Sequence, residues 1–64
     1  MEVTKYKIEY YNRVFKVNNF IEESYLEDAI NTAKSISKLF EIENVRLYEI
    51  REIKSYETKE INFI

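Results

Sequence analysis

Glycine, proline, cysteine and histidine are all absent from this chain of 64 residues. Without cysteine there is no disulfide and no thiolate metal site. Nucleophilic catalysis lacks a cysteine, and the serines have no histidine to activate them. The missing glycine excludes the type of loop that cradles phosphate groups. We therefore expect a non-enzymatic protein without a cofactor.

The chain also lacks long apolar runs and a strong charge of either sign. No apolar run exceeds two residues, and the start of the chain is neither basic nor apolar, so the sequence predicts neither a membrane span nor a signal peptide. Ten basic and twelve acidic residues give a net charge of −2, which argues against general affinity for nucleic acid. We expect a cytoplasmic protein.

Asparagine is expected to provide the chain reversals that glycine and proline usually provide. It tolerates left-handed backbone better than other non-glycine residues, and its side chain hydrogen-bonds to nearby backbone groups. We predict a turn around Asn12, a break at Asn18-Asn19 and a further break at Asn44.

Period-two alternation predicts two strands before the helix. Residues 3–11 form the first, and residues 14–17 form the second, with Phe15 and Val17 pointing inward. The first strand has one covered face, whose residues are Thr4, Tyr6, Ile8 and Tyr10.

Two more strands are predicted after the helix, at residues 45–56 and 60–64, with a turn at 55–59. The alternation changes phase within the first of them. Either a β-bulge lies near Tyr48-Glu49, or both faces of that strand are partly covered.

Helical spacing predicts one amphipathic helix at about residues 25–40. Ser24 and Glu27 have the spacing of a capping box, in which each side chain bonds to the backbone of the other residue. The apolar face consists of Leu26, Ala29, Ile30, Ala33, Ile36 and Phe40.

The element order predicts a single α+β domain, ββαβ(β), with one helix packed on one face of a small antiparallel sheet. The uncovered face keeps apolar side chains, and a domain of this size is only marginally stable alone, so we expect a homodimer. Tyrosine and arginine are favoured anchors of protein interfaces. The candidate interface residues are Val3, Tyr11, Val14, Tyr48, Arg51 and Ile53.

Four carboxylates cluster around the predicted helix start: Glu22, Glu23, Glu27 and Asp28. The simplest interpretation is that they complement the helix dipole and are solvated. They are also a candidate acidic docking patch for a basic partner surface. A divalent-metal site is a third interpretation, although the sequence has no loop in which Asp, Asn and Gly stand at the spacing of metal ligands.

Six tyrosines leave open a role as an RNA-binding sheet, because bases can stack on aromatic side chains. The acidic balance and the lack of a recognisable RNA-binding motif argue against it. The basic residues that could share one outer sheet face are Lys5, Lys7, Arg13, Lys16, Arg46 and Arg51.

Phe, Tyr, Met, Ile, Asn and Lys, whose codons are A/T-rich, make up 33 of the 64 residues, which points to a low-GC genome. The segments YKIEYYNRVFKV, SYLEDAINTAKSISKLF and NVRLYEIREI together resemble small phage-encoded counter-defence proteins of low-GC Gram-positive hosts. The Hachiman anti-defence type is similar in size. The resemblance is one of overall pattern, and it assigns no role to an individual residue.

This resemblance implies a phage or prophage protein that binds and inhibits a host defence protein in the host cytoplasm. Two alternatives remain open at this stage. One is a small regulator associated with nucleic acid, and the other is a protein that binds a nucleotide signal at the seam of a dimer.

Overall fold

The chain forms a four-stranded antiparallel sheet with one helix packed against one face. The computed structural model describes residues 3–52 and 55–64, and for Val3 it describes the backbone alone. The strand order across the sheet is β2-β1-β3-β4, which confirms the predicted α+β class. In these two ranges no helix has both the length and the apolar character needed to cross a membrane. The elements are β1 Val3–Asn12, β2 Val17–Glu23, α1 Leu26–Ile36, β3 Ile42–Glu52 and β4 Tyr56–Ile61.

The core is organised around one row of aliphatic side chains that crosses all four strands. Ile8 lies opposite Ile21 on one side and opposite Leu47 on the other, and Leu47 lies opposite Ile61. Directly opposed residues share a face of the sheet, so this row faces the helix. Ile8 and Leu47 are fully buried. Burial of a side chain of this size contributes roughly 1.5–3 kcal/mol.

Two alanines allow the helix to approach this row closely. Ala29 and Ala33 are fully buried against the sheet, and Phe63, after β4, completes the cluster. Among the described residues, α1 approaches β1, β2 and β3, and no Cα atom of α1 lies within 8 Å of one in β4. One side of the helix therefore lies over three strands, while β4 lies beyond it at the edge and reaches the core through Ile61.

β1 has the predicted orientation, since Tyr6 and Ile8 pack in the core cluster. We call the helix-free side of the sheet the open face. The strand register places the following side chains on it: Lys5, Lys7, Glu9, Tyr11, Asn18, Phe20, Glu22, Arg46, Tyr48, Ile50, Thr58 and Glu60.

The predicted capping box at the helix start is wrong. The N-cap residue is Tyr25, which makes no capping bond through its side chain, and α1 begins at Leu26. The Tyr25 carbonyl accepts the first helical hydrogen bond, from Ala29 at 3.0 Å. Because the helix begins one residue later than predicted, Ser24 lies outside the position from which its hydroxyl could reach the N3 amide.

The helix ends four residues earlier than predicted, at Ile36. Ser37 is the C-cap, and its hydroxyl donates a hydrogen bond to the Lys34 carbonyl (2.9 Å). The chain then turns, with the Leu39 amide bonded to the Ile36 carbonyl (3.0 Å). Phe40, predicted on the buried side of the helix, is exposed as a result.

The second strand was predicted too early. Residues 13–16 form the turn, and β2 runs from Val17 to Glu23. Phe15 and Val17 are exposed and do not point into the core. The left-handed position of the turn is Lys16 (φ 58°), although lysine has no special tolerance for it.

Of the three breaks predicted at asparagine, the structure has only the turn at Asn12. Asn12 does organise the turn, through its side-chain oxygen. Asn44 does have left-handed backbone (φ 57°), but it lies within β3 and does not break the strand. Asn18-Asn19 does not break the chain, because both residues pair with β1 inside β2.

The bulge of β3 lies at Asn44-Val45 and not near Tyr48-Glu49. The register of β3 on β1 shifts between Glu9 and Tyr11, so that two residues of β3 lie opposite one residue of β1. The left-handed conformation of Asn44 absorbs the extra residue. The other predicted explanation of the phase change holds near Tyr48-Glu49, because residues 48–51 are partly buried on both faces of the strand.

The last two strands also lie earlier in the sequence than predicted. β3 begins at Ile42 and ends at Glu52. β4 is Tyr56–Ile61, so residues 56–59 belong to a strand and not to a turn. Phe63 is buried after the strand has ended.

Candidate functional site

Two loops lie side by side at one end of the sheet. The first is the turn 13–16 between β1 and β2, and the second is the segment 37–41 between α1 and β3. They meet because Asn12, at the end of β1, pairs with the first residue of both neighbouring strands. The Arg13 amide donates a hydrogen bond to the Glu41 carbonyl (2.9 Å), which joins the loops directly.

Large apolar side chains are exposed on both loops. Val14 and Phe15 on the turn are 55% and 75% exposed. Leu39 and Phe40 on the other loop are 46% and 72% exposed. We call these four residues the loop tip. Single exposed apolar residues are ordinary, but four together at one end of a small domain indicate a binding surface.

The loop tip is held in place by polar contacts. The Asn12 side-chain oxygen accepts hydrogen bonds from the Val14 and Phe15 amides, each at 3.0 Å. The Arg13 guanidinium lies over the Phe40 ring, 5.2 Å from its centroid. These contacts fix the turn and one ring before any partner arrives, which lowers the entropy lost on binding.

The loops that carry the tip are basic, although the whole chain is slightly acidic. Arg13, Lys16 and Lys38 lie on them beside a single carboxylate, Glu41. Two carboxylates, Glu27 and Asp28, lie in the first turn of α1, at the other end of the helix. The domain is therefore polarised, and its loop end favours a partner with negative charge around an apolar site.

The open face is the second candidate surface, and its charges largely neutralise one another. Lys5 forms an ion pair with Glu22 (3.0 Å), and Lys7 forms one with Glu9 (3.3 Å). The Lys7 ammonium also lies 4.5 Å from the centre of the Phe20 ring. These two lysines do not form an unopposed basic stripe of the kind that attracts nucleic acid.

Arg46 and Tyr48 stand two residues apart on β3, on the open face. Interaction with the Tyr48 side chain raises the pKa of Arg46, and the nearby Glu60 and Glu9 carboxylates add to the rise. Both side chains line an open depression of about 510 Å³ that extends to Phe20 on β2. The depression could accept a polar side chain or a small planar group, with Phe20 and Tyr48 as its aromatic walls.

The structure does not bring the predicted interface residues together on one surface. Tyr11 and Tyr48 lie on the open face. Arg51 lies on the opposite side of the sheet, because it pairs with residues of the helix face, and it contacts Glu49 (3.9 Å). Val14 belongs to the loop tip.

Two further predicted interface positions remain without a described side chain. Val3 contributes backbone to the start of β1, where it pairs with Glu52. Ile53 lies outside the described residues.

The predicted acidic patch does not form one cluster. Glu22 faces the open side, where it pairs with Lys5, whereas Glu23 accepts a hydrogen bond from the Thr32 hydroxyl (3.2 Å) on the helix side. Glu27 and Asp28 occupy the exposed first turn of α1. Within residues 3–52 and 55–64, no group of three acidic side chains is arranged to hold a metal ion.

Sequence reasoning missed three of the four residues of the loop tip. Phe15 and Phe40 were assigned inward positions because aromatic residues are usually covered, and Leu39 was assigned no role. A signal was present in retrospect: each apolar pair, Val14-Phe15 and Leu39-Phe40, has a cation next to it. Apolar pairs flanked by basic residues in a loop are more typical of a binding surface than of a core.

Comparisons of the chain with protein-family models, with curated proteins and with solved structures find no match. The chemistry of the loop tip and of the open face is therefore what indicates a function. Of the two, the loop tip combines apolar exposure with fixed geometry and a charge bias.

Proposed function

We propose that this protein is a non-enzymatic, phage-type interaction protein that acts as a homodimer and inhibits a host defence protein by inserting its loop tip. The observation that carries the proposal is the exposure of Val14, Phe15, Leu39 and Phe40 on two loops joined by the Arg13–Glu41 hydrogen bond. Each protomer of the homodimer offers one such tip.

The composition of the tip is that of an interface centre. Aromatic side chains and arginine dominate the energetics of protein interfaces, especially where they fill pockets on the partner. Phe15 and Phe40 are suited to such pockets, since about three quarters of each side chain is open to solvent. Arg13 can remain over the Phe40 ring while its charge faces the partner.

The partner surface that fits is an apolar pocket with an acidic rim. Lys16 and Lys38 flank the apolar side chains on the two loops, and Arg13 lies between them. Such charges mainly accelerate encounter and reject partners with a basic rim. The pocket supplies affinity through apolar burial, at about 25 cal/mol per Å² of surface covered.

The class of the target comes from the resemblance to counter-defence proteins of phages that infect low-GC Gram-positive hosts. It supports a defence protein in the host cytoplasm as the target, and inhibition by occlusion as the mechanism. An inhibitor of this kind needs no catalytic group. It needs a rigid surface that binds where the target must bind its own substrate or partner.

The test begins with tagged protein expressed in a low-GC Gram-positive host, and co-purified proteins are identified by mass spectrometry. The informative variant is Phe15→Ala/Phe40→Ala, which removes both rings from the tip. The matched control is Tyr25→Ala, because Tyr25 is 72% exposed and lies at the helix start, away from the tip. Each candidate target is then purified and titrated with all three proteins.

We expect one target to bind wild type and the Tyr25→Ala control equally and to lose its own activity on binding. The double variant should bind nearly a thousandfold more weakly, since each of the two aromatic anchors contributes about 2 kcal/mol. Equal binding by the double variant would remove the loop tip from the proposal. The nucleic-acid alternative would be favoured instead if no protein target is found and the protein binds an oligonucleotide with an affinity that falls steeply with added salt.

A further inference from the structure

We infer that the free edge of β4 pairs with the same edge of a second copy, so that two sheets join into one of eight strands. The two β4 strands run antiparallel, with Thr58 opposite Thr58 of the other copy at the two-fold axis. The inference takes the homodimer from the proposed function and rests on it for that premise. It concerns a different surface from the loop tip, so the two can fail separately.

The backbone groups of β4 that point outward follow from the hydrogen-bond pattern of the sheet. The Arg13 amide bonds to the Glu41 carbonyl, so Arg13 and the other odd-numbered residues of β1 bond toward β3. Even-numbered residues of β3 after the bulge therefore bond back to β1, and odd-numbered ones bond to β4. On β4 this leaves three residues whose amide and carbonyl face away from the sheet: Tyr56, Thr58 and Glu60.

These outward groups complement a second copy of themselves. With Thr58 at the axis, Tyr56 of each copy lies opposite Glu60 of the other. Each of the three resulting pairs exchanges two backbone hydrogen bonds, as hydrogen-bonded pairs of antiparallel strands do. Both helices then lie on the same side of the joined sheet.

The charges of β4 select this register. Glu57 lies opposite Lys59 of the other copy on the helix side, and the pair occurs twice by symmetry. If the two-fold axis lay at residue 57, Glu57 would be opposite Glu57 of the other copy. If it lay at residue 59, Lys59 would be opposite Lys59. Like charges directly opposite each other are destabilising, whereas opposite charges attract.

The edge of β4 is also sterically open. Among the described residues α1 lies over the other three strands, and no Cα atom of α1 lies within 8 Å of one in β4. Phe63 turns into the core after the strand has ended, on the helix side. An incoming strand therefore meets no helix at this edge.

The opposite edge of the sheet, β2, is blocked for the same kind of pairing. The Asn19 side-chain oxygen accepts a hydrogen bond from the Phe20 amide (2.8 Å), which faces outward by the same alternation. A strand added to β2 would have to displace this bond at the centre of the edge. Natural sheets often protect one edge in such ways.

The decisive experiment uses two charge-reversal variants, Lys59→Glu and Glu57→Lys, measured by sedimentation equilibrium alone and as an equimolar mixture. Each variant alone brings like charges together twice across the axis, and the mixture restores both attractive pairs. Within its own protomer, each variant also places a like charge opposite a residue of β3: Lys59→Glu faces Glu49, and Glu57→Lys faces Arg51. Mixing the two variants does not repair these contacts. Rescue on mixing therefore reports the contact between copies.

We expect wild type to dimerise, each variant alone to dimerise about tenfold more weakly or worse, and the mixture to recover the wild-type affinity. Thr58→Pro removes the amide at the axis and should give monomers. Asn18→Pro, the equivalent change at an outward position of β2, should leave the dimer intact. Circular dichroism confirms that the proline variants remain folded.

A wild-type protein that stays monomeric at millimolar concentration would overturn the inference. So would an equimolar mixture of the two charge-reversal variants that dimerises no better than each variant alone. A monomer that still binds its target through Phe15 and Phe40 would overturn the edge pairing alone. A dimer that persists in Phe15→Ala/Phe40→Ala while target binding is lost would support both assignments as separate surfaces.

Discussion

The side-chain oxygen of Asn12 accepts a hydrogen bond from the amide of Phe15 at 3.0 Å, three residues further along the chain. A second bond from the Val14 amide, also at 3.0 Å, ends on the same oxygen. One side chain thus closes the turn between β1 and β2 in a chain without glycine or proline, and it positions the exposed ring of Phe15.

Asn12→Ala should lower the free energy of unfolding by about 1 kcal/mol, because two backbone amides at a solvent-exposed turn lose their partner. It should also shift the amide resonances of Val14 and Phe15. Urea denaturation measures the first effect and heteronuclear NMR the second. Asn31→Ala, on the exposed side of α1, is the control and should not be destabilising. An Asn12→Ala protein as stable as the control contradicts the role assigned to the turn.

Lys16→Gly should stabilise the protein, by roughly 0.5–1 kcal/mol. Lys16 has a φ of 58°, where a residue with a Cβ is strained by about 1–2 kcal/mol and glycine is not, although glycine adds entropy to the unfolded chain. The control is Lys34→Gly, the same replacement inside α1, which should cost up to about 1 kcal/mol. Thermal and urea denaturation of both variants give the sign directly. A loss of stability in both would show that the turn is not strained at Lys16.

The sequence was sufficient to predict the class of fold and the orientation of β1. Three aromatic or aliphatic side chains at period two, Tyr6, Ile8 and Tyr10, leave little choice of buried face, because a shift by one residue would bury Lys7 and Glu9 instead. The pair Ala29 and Ala33 likewise marked the side of the helix that approaches the sheet.

The turns were harder to place, since their positions depend on tertiary contacts. Phe15 is a residue type that strands favour, but the hydrogen bond that its amide donates to the Asn12 side chain places it in a turn. Asn18-Asn19 resembles a chain break, but an edge strand tolerates polar residues on both faces. The shifts at the second strand and at the end of the helix moved Phe15 and Phe40 from predicted inward positions to the surface, which is why only Val14 of the loop tip was predicted.

Ala33→Leu should lower the free energy of unfolding by about 1–3 kcal/mol, because Ala33 is fully buried where α1 meets the sheet and the added carbons force the two apart. Asn31→Leu is the control for adding the same side chain at an exposed position of the helix. It should change stability by no more than about 0.5 kcal/mol. Chemical denaturation distinguishes the two. Equal stability of both variants would mean that the helix does not approach the sheet closely at Ala33.

The ion pair between Lys5 and Glu22 should be visible in a pH titration. The Glu22 carboxylate accepts a hydrogen bond from the Lys5 ammonium and attracts its charge, and both effects raise the pKa of Lys5 above its ordinary value. A group whose pKa is raised by folding contributes stability that is fully present below its unfolded pKa and is lost as the pH rises through its folded pKa. The pair therefore stabilises β1 against β2 at neutral pH and ceases to do so in strongly alkaline solution.

Glu22→Gln should return the pKa of Lys5 toward its ordinary value, because the amide keeps a hydrogen-bond acceptor but not the charge. NMR titration of the lysine side-chain signals measures the change. Glu27→Gln removes a carboxylate from the first turn of α1, away from Lys5, and is expected to leave its pKa where wild type has it. If both variants lowered the pKa of Lys5 equally, the general field of the protein and not the contact with Glu22 would be responsible. A selective effect of Glu22→Gln would confirm the register of β2 on β1, because that register places the Lys5 ammonium 3.0 Å from a Glu22 carboxylate oxygen.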